Sequence, residues 1–113
     1  MRGRVKLNRR LVLEEAVRAP DGAGGLRESW APVGELWAAV KAGSGRETAG
    51  EYVTLSAVAY RIVVRAAPPG DPMRPRPDQR FREGGRVFRI LAVSEADGQG
   101  RYLTCHAREE VLA

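Results

Sequence analysis

Ser56-Ala57-Val58-Ala59-Tyr60-Arg61-Ile62-Val63-Val64-Arg65-Ala66 is the stretch of this 113-residue chain that decides its fold. Val58, Tyr60, Ile62 and Val64 fall on one side of an extended backbone, and Arg61 and Arg65 on the other. A period of two is that of a strand, whose side chains alternate between faces. The β-branched and aromatic content favours the same conformation. Pro68-Pro69-Gly70-Asp71-Pro72 then interrupts regular structure, and Pro75 and Pro77 prolong the break. Residues 67–78 therefore read as a long surface loop.

The same short period continues outward in both directions. Towards the C-terminus come a short strand from Gln79 to Arg82 and a Gly84-Gly85 turn. A longer strand follows from Arg86 to Glu95, with Phe88, Ile90 and Ala92 expected on one face. Ala96-Asp97-Gly98-Gln99-Gly100 makes a hairpin into a last strand from Arg101 to Ala107, with Leu103 and Cys105 facing in. The tail from Glu109 to Ala113 is left unassigned. Towards the N-terminus, Gly43 to Glu51 reads as a flexible loop with helical character: Ser44 and Glu47 have capping-box spacing, and Gly50 limits the helix. Before it lies Glu35 to Ala42, separated by Pro32-Val33-Gly34 from a strand at Leu26 to Ala31. Trp30 and Trp37, one on each, read as core or sheet-edge packing. Pro20-Asp21-Gly22-Ala23-Gly24-Gly25 reverses the chain into Leu11 to Ala19, with Leu11, Leu13 and Val17 on one face. The expected fold is all-β: a small antiparallel β-barrel or sandwich of six or seven short strands with a long flexible loop. A basic N-terminal arm, residues 1–10, precedes a single domain, residues 11–113.

Composition narrows the function. The one cysteine, Cys105, excludes an intrachain disulfide, and with His106 it falls short of the four ligands of a structural zinc site. No run approaches the ~20 apolar residues of a membrane span, so no membrane partner is expected. The net charge is +5, unevenly spread. Residues 1–10 carry Arg2, Arg4, Lys6, Arg9 and Arg10 with no acid; residues 74–89 carry six arginines against Asp78 and Glu83. Two basic patches on an otherwise acidic body suit a polyanion or an acidic protein partner. Nearly all the basic residues are arginine, which a GC-rich genome would also give.

Catalytic constellations are missing. Cys105 and His106 are neighbours in a strand, so their side chains diverge, whereas a nucleophile and its base must meet. Glu14-Glu15 and Glu109-Glu110 divide between faces in the same way. The glycine-rich segments match no phosphate loop, and no cofactor is expected. A nucleic-acid platform needs aromatics interleaved with basic residues, and Arg86-Val87-Phe88-Arg89 is a weak instance.

The order of landmarks resembles the phage head–tail joining family, also known as head-closure, stopper or connector proteins. The residues that carry the likeness are Arg10-Leu11-Val12-Leu13; Asp21, Gly24-Gly25 and Trp30; Trp37-Ala38-Ala39-Val40; Ser44-Gly45-Arg46-Glu47; Tyr60-Arg61-Ile62-Val63-Val64-Arg65; Gly85-Arg86-Val87-Phe88-Arg89-Ile90-Leu91-Ala92-Val93; and Arg101-Tyr102-Leu103. The proline-rich loop at 68–77 is longer than that pattern. The resemblance implies a small β-barrel that forms a ring of six or twelve copies at the capsid neck. Such a ring sits between a portal or adaptor protein and the tail terminator or tail tube, and packaged double-stranded DNA passes through it. It also implies a place in the neck of a phage, prophage or gene transfer agent particle assembled in a bacterial cytoplasm. A channel loop would best match residues 43–55, with Ser44, Gly45, Arg46, Glu47, Gly50 and Glu51 as its candidates. Arg2, Arg4, Lys6, Arg9, Arg10, Arg74, Arg76 and Arg80 are the candidate ring or partner contacts. The alternatives are a nucleic-acid-binding small barrel and another neck or tail component such as a tail terminator.

Overall fold

The computed structural model of the chain describes residues 6–43 and 57–110. Six strands make up the described fold: β1 (Arg9–Pro20), β2 (Leu26–Ala42), β3 (Ala57–Arg65), β4 (Arg80–Glu83), β5 (Arg86–Glu95) and β6 (Tyr102–Glu110). All pairings are antiparallel, and the sheet closes on itself in the order β1-β2-β3-β6-β5-β4. Of the two expected architectures, the closed barrel is the one found. Closure rests on three pairs between β1 and β4: Val12 with Arg82, Leu13 with Phe81 and Glu14 with Arg80.

Alternation explains the core. Leu11 and Leu13 of β1, Ala38 of β2, Ile62 and Val64 of β3, Phe81 of β4, Phe88 and Ile90 of β5, and Leu103, Cys105 and Ala107 of β6 meet in one buried cluster. Tyr60 packs its ring edge-on to Phe88, centroids 5.1 Å apart. Removing this apolar surface from water is the main stabilising term, at roughly 25 cal/mol per Å².

The structure departs from the sequence reading at several places. Pro32-Val33-Gly34 does not break the chain into two strands; β2 runs unbroken for 17 residues. Val33 is instead a bulge, since Leu13 faces Gly34 while Glu14 faces Pro32. A proline without an N–H is tolerated where the ladder is already interrupted. A second bulge at Leu91 shifts the phase of β5. It turns Ala92 to solvent, against expectation, and Val93 packs on the core in its place. Val17 keeps the phase of Leu11 and Leu13 but is 41% exposed, because β1 has by then left the barrel and no wall faces it. Trp37 is 51% exposed: Leu36, Ala38 and Val40 take the inward positions around it. The last strand reaches Glu110, so Glu109 and Glu110 belong to the sheet.

The proline-rich loop is anchored to the barrel. Pro75 is fully buried, and Arg74 donates from Nη1 to the Ala67 carbonyl at 2.7 Å. Gly34 lies under the loop; a Cβ there would come 2.7 Å from Met73 Sδ. The loop thus lies against β2 where the bulge occurs, at the root of the β1–β2 hairpin.

Candidate functional site

Beyond Glu14, β1 pairs with β2 alone, from Glu15–Ala31 to Pro20–Leu26. The hairpin therefore leaves the barrel as a two-stranded ribbon. Its turn is built locally: the Asp21 carboxylate accepts from the N–H groups of Ala23 and Gly25, at 2.8 and 3.0 Å. Gly22 and Gly24 take positive φ there, which other residues adopt at a cost. Arg18 of β1 and Glu28 of β2 form an exposed ion pair at 3.2 Å. Leu26, at 68%, is the most exposed large apolar residue among those described.

At the ribbon's root, Glu14 is only 4% exposed. It accepts from Arg80 Nε at 2.7 Å and from Arg82 Nε at 2.8 Å. Burial alone would raise its pKa; the hydrogen bonds and charges of Arg82 and Arg80 outweigh that and hold the carboxyl below its ordinary value. Trp30 lies against two guanidiniums, with Arg80 4.2 Å and Arg89 5.3 Å from its ring centroid. Two further arginines brace neighbouring strands of the sheet, β1 to β4 and β5 to β6. Arg9 binds Glu83 through two hydrogen bonds of 2.7 and 2.6 Å, and Arg86 binds Glu109 through two of 2.9 and 3.1 Å. Each partner carboxyl is held below its ordinary value, first by the hydrogen bond from its arginine.

The candidate contacts therefore separate into groups. Arg2 and Arg4 lie outside the described residues, as do all the channel-loop candidates: Ser44, Gly45, Arg46, Glu47, Gly50 and Glu51. The two stems of that loop are joined, since the Gly43 N–H donates to the Ala59 carbonyl at 2.7 Å. Lys6 is exposed ahead of β1, and Arg10 is exposed above Trp37, 5.3 Å from its ring. Arg76 is exposed, 3.8 Å from Glu15. Arg9, Arg74 and Arg80 are engaged within the fold. Each of the six arginines of residues 74–89 has an acid or a carbonyl within 4 Å. The positive patch legible in the sequence is thus partly neutralised, with Glu14 shared by Arg80 and Arg82 and Glu109 bound to Arg86.

Little reactive chemistry is assembled. Cys105 is buried, and burial pushes its thiol up to about 12, away from the reactive thiolate. His106 points outward, 3.5 Å from Ser94 Oγ. Among the described residues no group of three potential metal ligands converges. A hollow of about 340 Å³ lies between the ribbon and the proline loop, lined by Glu15, Val33, Arg74 and Arg76.

A small closed barrel with its ion pairs bracing the strands, and with arginine and apolar side chains left outside on a projecting ribbon, has the features of a structural assembly protein. The chain belongs to the phage head completion protein family, whose model matches residues 3–110. This is the kind of family that the order of sequence landmarks indicated. It is 66% identical to a chain in the structure of the virion of a native gene transfer agent particle, covering 97% of this chain and 100% of that one, with a TM-score of 0.79. It also shares its fold with the solution structure of a protein from Shigella flexneri 2a, at 24% identity, 91% and 92% coverage and a TM-score of 0.65. No match was found among curated proteins.

Proposed function

We propose that this chain is the neck protein of a phage-like particle. Copies of it form a ring between the portal or adaptor of a DNA-filled capsid and the tail, closing the head and offering the surface to which the tail attaches. The observation that carries this reading is the 66% identity, over the whole of that chain, to a component of a native gene transfer agent virion. The partners are further copies of the chain, the portal or adaptor above and a tail terminator or tail tube below. Packaged double-stranded DNA passes through the channel, and the particle assembles in the bacterial cytoplasm.

The fold suits the task. Rings are built from heterologous contacts between different patches of one subunit. A rigid barrel with a projecting ribbon and a loop whose stems are tied at Gly43 and Ala59 supplies such patches. The paired arginines favour a protein partner over a firm grip on DNA, because a neutralised guanidinium releases few counterions. A channel through which DNA must slide is served by that weakness.

The test is electron microscopy of particles made without this gene. Tailless heads, many emptied of DNA, beside free tails are the expected result. Complete tailed particles would overturn the reading and return the nucleic-acid-binding barrel to the front.

A further inference from the structure

The barrel pairs most of its strands on both sides, but the ribbon does not. Residues 15–20 of β1 and 26–37 of β2 have ladder partners on one side alone. The β2 stretch is the longest one-sided run among the described residues, and the two together leave unpaired N–H and C=O groups along both outer edges of the ribbon. A lone two-stranded ribbon is at best marginally stable in water, and an open edge is a template for another strand. This ribbon keeps two long edges open and exposes Val17 on one face and Leu26 on the other.

We propose that the ribbon joins copies of this chain: the free edge of β1 in one copy pairs antiparallel with the free edge of β2 in the next. The inference rests on the ring reading above and assigns the contact that builds the ring.

Charge and register together suit the unlike edge. β1 carries Arg18 and β2 carries Glu28, and within one copy they face each other at 3.2 Å. Pairing β1 with a neighbour's β2 in the same register repeats that couple across the boundary. It also repeats the Val17–Ser29 pairing of the ribbon itself. Symmetric pairing centred on Arg18 of β1, or on Glu28 of β2, sets like charges directly opposite, which is destabilising, and like edges escape this only by abandoning that register. Unlike edges meet with opposite charges in the register the ribbon already uses. Such a contact never satisfies itself in a pair, so it propagates until rotation closes it. Each copy contributes two strands, and the ribbons together make a continuous sheet around the axis. Main-chain hydrogen bonds supply the adhesion, as in other strand additions.

The test uses particles assembled from two chains supplied together, one carrying Val17→Cys and the other Ser29→Cys. Both positions are exposed, so both variants should fold, and fully buried Cys105 stays out of the reaction. Mild oxidation should give a disulfide-linked dimer containing one chain of each kind, and almost none when either variant is used alone. Dimers in particles made with a single variant would overturn the proposal in favour of like-edge pairing. A neck ring visible by electron microscopy, with no mixed dimer at this couple or at a second couple of Ala19→Cys with Arg27→Cys, would overturn it while leaving the ring reading intact. Particles without any ring of this protein would overturn the ring reading first.

Discussion

At the scale of the residue, burial separates side chains that the sequence presents alike. Ile62 is fully buried among Leu13, Phe88 and Leu103, whereas Trp37 is half exposed beneath Arg10. Ile62→Ala should cost about 2–5 kcal/mol in urea unfolding, the usual range for an emptied core site. Trp37→Ala should cost about 1 kcal/mol or less, the scale of an exposed cation–π contact. Glu14 is the more instructive position. Glu14→Ala would leave Arg80, whose side chain is 16% exposed, facing an empty site. Breaking such a pair from one side costs about 3–5 kcal/mol, and the partial exposure of Arg82 argues for the lower end. The same carboxyls set the acid limit. Glu14, Glu83 and Glu109 all have folded pKa values below their ordinary value of 4.5. Between the folded and unfolded pKa values the unfolded chain binds more protons, so their contribution is complete above about pH 5 and fades as pH falls through the folded values. Thermal midpoints should therefore drop between pH 5 and pH 3, with a smaller drop in Glu14→Gln; a flat profile would show that these pairs add nothing to stability.

At the scale of the element, much of the architecture was legible and some of it misled for physical reasons. β5 spans Arg86–Glu95, the bounds that alternation and the flanking glycine and turn residues set. In the sequence Pro32 divides β2, because a proline inside a strand reads as a stop, although a bulge gives it a place. The phase error at Ala92 has the same origin: an inserted residue reverses every later side chain, and no local signal marks Leu91 as the insertion. The arginine-rich stretch misled more seriously. Its partners Glu14 and Glu109 are 66 and 23 residues away, so local counting sees charge without its neutralisation. The ribbon's turn was legible from Asp21 and its glycines; that the strands run on past the barrel was not. Replacing residues 18–28 by Asn-Gly should give a tight two-residue turn that the strand twist accepts. The shortened protein should melt within a few degrees of the parent, because the ribbon adds no side chain to the core cluster. It should nonetheless fail to enter particles, as seen by immunoblot of purified virions.

At the scale of the whole molecule, the basic arm and the barrel overlap. β1 begins at Arg9, and Arg9 ties β1 to Glu83. Removing residues 2–8 should leave the thermal midpoint nearly unchanged while weakening docking to the portal side. Removing residues 2–10 should lower it, since Glu83 loses its bidentate partner. Differential scanning fluorimetry of the two truncations separates a docking arm from a structural one.

The closure of β1 on β4 also sets an order of events in synthesis. Val12 must wait for Arg82, seventy residues later, before the sheet can meet itself. Contacts of such long range are slow to form, and the ribosome delivers the halves one after the other. Until closure, β1 offers a neighbouring nascent chain the edge it should offer only β4. A cell that makes many copies from one message therefore gains from spacing its ribosomes widely, so that each subunit shuts before it meets the next.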